Sequence, residues 1–569
     1  MGRVTNHRLR AIGVGLVAAL GLVWLRCAWL QVAQFPRFAR LARAQHETSR
    51  RLLGDRGAIY DRTGLALAMS VGIPSVFANP RQMTAKRQAA SSLAKTLGRD
   101  PAAISRRLAK DKGFVWIARH VSPLVKGRLD PFRSQGVGIV EEPDRVYPQG
   151  RFASHLLGYV DIDDRGLEGL ELAFNGMLRG RPGWRSTFRD AKGDLLIGPW
   201  TIEAQPRRGY DLVLTIDSIV QEAAEEALAW GVEQFHAKGG AVIVMDPADG
   251  SILALANWPQ FDPNSPARAT TDSRRNRAVT DVMEPGSVFK IVTASALLEE
   301  GLARPDEQVF CEDGNYPTVA RHILHDHRPH GWLSFHDVVK FSSNIGTAKL
   351  AQRLSPELLY GYIRQFGFGQ RTGIDLPGEV GGMIAPPSRW SKLSPYIIPI
   401  GQEVAVTPLQ MAVMTGVIAN GGWRVRPHVV ARIQNSDGQI VRDFQAPARI
   451  RILKPETASQ VEQMLISVVE SGTGQLASAK GLTVAGKTGT AQKLEPNGRY
   501  SHSRYIASFV GYGPVPDPRF VIVATIDEPR PLYFGGVVAA PVFRRIVEQL
   551  AGYWELQRQD EPRTLARLP

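Results

Sequence analysis

The chain has 569 residues, too many for one hydrophobic core, so two or three domains are expected. Hydrophobic residues make up 44% and charged residues 22%, a globular balance that excludes a disordered or fibrous chain. The formal net charge of +15 reads as arginines on solvated faces, anionic lipid headgroups or a pyrophosphate-bearing lipid substrate; with no zinc-ligand framework and no basic run interleaved with aromatics, nucleic acid is not the expected partner.

At the N-terminus Arg3, Arg8 and Arg10 precede an uncharged run from Ala11 to Leu25, and apolar character resumes after Arg26 through Trp29, Leu30 and Val32. About 20 helical residues cross a bilayer, so residues 11–33 are expected to form one transmembrane anchor behind a short cytoplasmic tail (1–10), with Arg26 reaching toward the far interface. A cleaved signal peptide is the alternative, but Arg37, Arg40 and Arg43 crowd the candidate cleavage region. The expected protein crosses the cytoplasmic membrane once and carries its bulk on the periplasmic or extracytoplasmic side. Only two cysteines occur, Cys27 and Cys311, which excludes a disulfide framework.

Residues 34–205 are Arg-rich, with short helical stretches and Gly/Pro turns but no catalytic cluster. A second unit, 206–553, opens with a short buried strand over 211–217 and a helix through Gln221, Ala224 and Leu228. β-Branched runs 240–246 and 251–256 flank Pro247-Ala-Asp-Gly250, which predicts a hairpin. Three more strands are predicted over 482–485, 505–512 and 520–526, then a helix over 541–553 and a polar, loose tail over 554–569. Strands at both ends of a largely helical insert predict an α+β fold, an antiparallel sheet flanked by helices.

Three motifs carry the chemistry. In Glu284-Pro-Gly-Ser287-Val-Phe-Lys290, Pro285 and Gly286 break the chain before a helical run that stops at Gly301. Ser287 is thus expected at a helix start, where free N–H groups favour an oxyanion, with the Lys290 amine on the same face. A serine hydroxyl needs a base, and a desolvated lysine can act as one. Ser342-Ser343-Asn344 is the second motif; alone, such a cluster is usually a turn or a cap. Gly486-Lys487-Thr488-Gly489-Thr490, at the end of a predicted strand, offers close backbone approach and a cation for a carboxylate. Gly481 to Thr488 also fits a phosphate-loop pattern, but a strand is predicted to follow where that loop needs a helix. The five histidines His322, His325, His327, His330 and His336, with Cys311, Asp326 and Asp337 nearby, read as a solvated hairpin above the cleft in preference to a metal site.

Ser-x-x-Lys, Ser-x-Asn and Lys-Thr-Gly in this order resemble the penicillin-binding proteins. The likeness extends to Arg56-Gly-Ala-Ile-Tyr-Asp61-Arg62-Thr-Gly64, Arg145-Val-Tyr147-Pro148-Gln-Gly150 and Gly166-Leu-Glu-Gly169-Leu-Glu171. These are similar to the boxes of a class B N-terminal pedestal (the dimerisation-like domain), and Gly401 to Gln410 and Tyr533 to Phe543 are similar to later class B segments. The resemblance implies a penicillin-recognising serine transpeptidase fold, β-lactamase-like, that cross-links peptidoglycan stem peptides and is inhibited covalently by β-lactams. Ser287 would be acylated, Lys290 would take its proton, Ser342 would shuttle protons, and Asn344 would position Lys290 and the substrate amide. Lys487, Thr488 and Thr490, around Gly489, would hold the substrate carboxylate, with the N–H groups of Ser287 and Thr490 as oxyanion hole. No metal or organic cofactor is required. A division role of the FtsI type is expected, with a SEDS-type glycosyltransferase and divisome membrane proteins as partners. An elongation-type enzyme and a catalytically weak β-lactam-binding scaffold are the alternatives.

Overall fold

The computed structural model describes residues 2–52, 54–189, 195–196, 202–319, 322–444, 449–495 and 498–560. The chain divides into two units, residues 1–55 with 180–208, and residues 56–179 with 209–569.

The first unit opens with the helix Gly2–Ala28, continued by a π-helical turn Trp29–Ala33 and the helix Phe35–His46. The span Asn6–Ala33 is long and apolar enough to cross a membrane, as the uncharged run predicts. The Arg26 guanidinium lies 4.5 Å from the ring of Trp29, so the one charge within the apolar run has an aromatic face beside it. Strand Glu47–Leu52 pairs antiparallel with Gly183–Arg189, which also takes Leu195–Leu196 and Ile202–Ala204 as partners.

The second unit contains the expected hairpin, Gly239–Met245 against Ile252–Trp258. It forms one edge of a five-stranded antiparallel sheet in the order 252–258, 239–245, 520–527, 500–513, 485–494. Strand residues are buried on both faces, because each face carries helices. Val242, Val244, Phe509, Ile522 and Ala524 pack with the helices Ser218–Gln234 and Gly535–Asp560. Ile243, Met245, Val510, Val521 and Val523 point to the opposite core, with helices Lys290–Glu299, Pro408–Ala419 and Pro455–Ser471. Period-two alternation along each strand feeds both cores, and burying one such aliphatic side chain contributes about 1.5–3 kcal/mol.

Several elements differ from expectation. Strand Asp211–Leu214 is not in this sheet. It pairs parallel with Ile59–Tyr60 and antiparallel with Val430–Gln434, in a separate seven-stranded mixed sheet. Asp217 leaves the strand to cap the following helix, its carboxylate accepting from Ile219 N and Val220 N. The C-terminal helix starts at Gly535 and encloses Pro541, where the sequence predicts its start, and it runs on through residues 555–560; the rest of the expected tail lies outside the described residues.

Candidate active site

Ser287 sits in the 3-10 turn Gly286–Phe289, which leads directly into the helix Lys290–Glu299. Gly286 has φ +53°, and its N–H donates to Gly401 O at 3.2 Å. A Cβ on Gly286 would stand 2.8 Å from Thr490 O, and one on Gly401 would stand 2.1 Å from Gly286 O. Three backbone segments therefore meet with no room for a side chain at 286 or 401. The Ser287 turn lies directly against the strand that carries Lys487 to Thr490.

One helical turn on, Lys290 is 1% exposed. Its Nζ donates to Ser342 O at 2.6 Å, Asn344 Oδ1 at 2.8 Å and Ser342 Oγ at 3.2 Å. Burial pushes its pKa down to about 7, against the raising influence of the Asp326 carboxylate. Three acceptors match the three protons of an ammonium. Loss of one proton leaves two donors and a lone pair, which is what a base needs. The Ser287 hydroxyl, half-buried, has no hydrogen-bond partner among the described residues.

Ser342 owes its place to a helix end. The helix Phe335–Lys340 closes with Ser342 N–H donating to Val339 O and Ser343 N–H to Val338 O, and Ser342 takes φ +60°. That is the left-handed stop position usually given to glycine. A serine there is backbone strain of order 1 kcal/mol, held in place by its neighbours. Ser343 then caps the helix Asn344–Ala351, accepting from Gly346 N at 2.9 Å. Asp326, from the histidine-rich segment, accepts from Ser343 Oγ, Asn344 N and Ile345 N, a carboxylate on a helix N-terminus. Asn344 Nδ2 donates to His325 O at 2.9 Å, so both ends of its amide are fixed.

Lys487 is fully buried, in the strand Ala485–Leu494. The motif thus lies within the strand, not at its end, and no helix follows it as a phosphate loop would require. Lys487 Nζ donates to Ser342 Oγ at 2.9 Å and to Thr488 O at 3.3 Å. Burial, then the charge of Lys290, holds its pKa well below the usual lysine range. Neither amine has a carboxylate within ion-pair distance among the described residues, and the Ser342 hydroxyl joins the two buried amines. The hydroxyls of the next residues have partners of their own: Thr488 Oγ1 lies 3.0 Å from Thr473 Oγ1, and Thr490 Oγ1 accepts from Gly535 N at 3.0 Å, which leaves its own proton free to donate. A Cβ on Gly489 would meet Ser508 Oγ at 2.3 Å and Pro285 O at 2.9 Å, so glycine is what lets this strand touch the Ser287 turn.

Ser287, Lys290, Ser342, Asn344, Lys487 and Gly489 are thereby gathered in one place, while the Thr488 and Thr490 hydroxyls are engaged by Thr473 and Gly535. Sequence reasoning missed Asp326 and Thr473 as parts of the site, and read Gly401 only as the start of a family-like segment. Asp326 was noted only as a metal-ligand companion of the histidines. The histidine segment forms a hairpin, Asn315–Pro317 with Ile323–His325, in which His322, His325 and His327 are exposed. His327 packs on Phe534 (ring centroids 4.5 Å apart) and His330 on Phe341. No three metal-ligating side chains converge among the described residues.

The family model of the penicillin-binding protein transpeptidase domain matches residues 240–548, and that of the penicillin-binding protein dimerisation domain matches residues 51–214. The chain is 35% identical over 503 residues to a probable peptidoglycan D,D-transpeptidase PenA of Neisseria meningitidis, covering 86% of this chain and 83% of that one. It is 31% identical over 542 residues to the peptidoglycan D,D-transpeptidase FtsI of Escherichia coli, covering 94% and 89% respectively. Among solved structures, penicillin-binding protein 3 of Mycobacterium tuberculosis, complexed with aztreonam, superposes with a TM-score of 0.69 at 31% identity, covering 90% of this chain and 98% of that one. Two matched domains in the order that the motifs require, and likeness along nearly the whole length, leave one conclusion: this chain belongs to the class B penicillin-binding proteins, the serine-type peptidoglycan D,D-transpeptidases.

Proposed function

We propose that Ser287 is the residue acylated in peptidoglycan cross-linking, and that the two buried amines sharing the Ser342 hydroxyl drive the reaction. That shared hydroxyl is the observation on which the reading rests. Neutral Lys290 takes the Ser287 proton as Oγ attacks the carbonyl of the penultimate D-Ala of a stem peptide. The carbonyl oxygen becomes an oxyanion facing the N–H groups of Ser287 and Thr490, each such donor lowering the barrier by about 3 kcal/mol in comparable sites. The tetrahedral adduct collapses, the C–N bond breaks, and the terminal D-Ala nitrogen gains a proton relayed from Lys290 through Ser342. An amine of a neighbouring stem then attacks the acyl-enzyme and loses its proton back along the same path, restoring Ser287. Asn344 holds Lys290, and Lys487, Thr488 and Thr490 bind the carboxylate of the terminal D-Ala.

β-Lactams enter the same path in this reading, which is supported by the likeness to the M. tuberculosis protein, solved in complex with aztreonam. The test is to incubate the full chain in detergent with a fluorescent penicillin and map the adduct. Label on Ser287 that disappears in Ser287→Ala is expected; no label, or label that survives the substitution, overturns the assignment.

Residues 1–10 as cytoplasmic tail, 11–33 as anchor, 34–205 as pedestal, 206–553 as catalytic domain and 554–569 as tail complete the proposal, with the catalytic domain outside the cytoplasmic membrane. Likeness to FtsI supports a septal role beside a SEDS-type glycosyltransferase and divisome membrane proteins. Depletion should then give filaments; rounded cells would place the enzyme in elongation.

A further inference from the structure

A second cavity, of about 530 Å³, lies in the unit that holds the active site and is used by none of the chemistry above. Arg424, half-buried, and Arg371, Arg426 and Arg442, exposed at its rim, all line it, and none of the four has a carboxylate within ion-pair distance among the described residues. Its one acid, Asp375, accepts from Val429 N and Val430 N at 2.8 Å each, so its charge is already committed to the backbone. The arginines are seated. Arg424 donates to the carbonyls of Arg364 and Gln365, and Arg426 Nε donates to Gly373 O at 2.6 Å. The space for Arg426 comes from Gly373 itself (φ +82°): a Cβ there would be 3.2 Å from Arg426 Nε. Arg442 lies 4.5 Å over the ring of Phe444.

These contacts orient Arg424, Arg426 and Arg442 yet leave most of their N–H donors without a protein acceptor among the described residues. Arg424 is also held below its usual pKa by burial and by nearby Arg364, as expected where positive charge collects without compensation. The remaining wall is mixed: Phe366, Val413, Phe444 and Ile450 supply an apolar side, beside the polar Gln370, Thr372, Gln410 and His428. Planar guanidinium forks bind paired oxyanions bidentately, and a cavity of this size takes a ligand of small-cofactor dimensions.

We propose that this cavity is a binding site for a diphosphate, with the arginines holding the two phosphate groups and the aromatic wall receiving an apolar substituent attached to them. The site accounts for part of the excess positive charge that the active site does not use.

Calorimetry on the full chain, in a non-ionic detergent at fixed ionic strength, tests it with two probes, inorganic pyrophosphate and farnesyl diphosphate. Saturable binding of both is expected, tighter for the prenylated probe if the natural source is a lipid; equal affinity would assign a free diphosphate. Arg426→Gln with Arg442→Gln should weaken either probe at least about tenfold, since two charge-assisted contacts are removed. Arg87→Gln with Arg268→Gln, which removes the same charge at exposed positions elsewhere, should leave affinity unchanged. Penicillin labelling of Ser287 checks that each variant is folded, and it also keeps a failure here separate from failure of the catalytic reading. Absence of saturable binding, or equal loss in both double variants, overturns the proposal.

Discussion

Lys290 and Asp326 show how single residues set the reactivity of the site. With its pKa near 7, Lys290 is largely neutral above that pH and protonated below it. Only the neutral amine can accept the Ser287 proton, so the rate of acylation by a penicillin should rise through a midpoint near pH 7 and level off above it. A stopped-flow profile that is flat from pH 5 to 9 would remove Lys290 as the base. Asp326 holds that pKa up. Asp326→Asn deletes the negative charge, so the amine loses its proton more easily and the midpoint should move to lower pH. An unmoved midpoint would mean that Asp326 acts only as a helix cap. That Ser287, Lys290 and Asn344 belong to one site was legible from the order of their motifs. The role of Asp326 was not, because it depends on a hairpin that carries a remote carboxylate onto the N-terminus of the Asn344 helix.

At the level of elements, the site is a junction between one helical turn and one strand. Gly489→Ala should force these apart, since the added carbon meets both the Ser287 turn and Ser508. Penicillin acylation should fall by about two orders of magnitude, the scale of misplacing reacting groups by an ångström. Ser508→Ala in the same chain removes the closest clash and should restore part of the rate, read by the same labelling assay. No recovery would show that Pro285 and Val288 alone set the limit. The hairpin and the strands over 505–512 and 520–526 were readable from β-branched runs and Asp-Gly punctuation, whereas the strand predicted over 482–485 meets the observed Ala485–Leu494 only at Ala485. The start of the last helix was misplaced because Pro541 looked like a first-turn proline, whereas the helix accommodates it after beginning at Gly535. The extent of the Lys487 strand was missed because its second half, Gly489 to Leu494, mixes glycine, threonine, glutamine and lysine and shows no apolar alternation.

Across the whole molecule, the motifs outside the active site resolve into structure. Arg56 and Arg145 both donate to Glu171, at 2.6 and 2.7 Å, and all three are buried. Glu171→Gln leaves two buried guanidinium groups without a counter-charge and should lower stability by about 3–5 kcal/mol, measured by denaturant unfolding. A loss below 1 kcal/mol would mean that water reaches the cluster. The sequence showed these residues as separate boxes and could not show that they meet. Nor could it show the seven-stranded sheet, because parallel pairing of Ile59–Tyr60 with Asp211–Leu214 joins segments far apart in the chain. That sheet has a consequence for biosynthesis. Its early strands reach the ribosome exit long before their last partners, and the strand Val430–Gln434 must be made before Asp211–Leu214 has both neighbours. Such non-local closure is slow and leaves strand edges open meanwhile. The edge of Asp211–Leu214 therefore stays unpaired until residues 430–434 have been made, and that of Val430–Gln434 until residues 440–443 have followed.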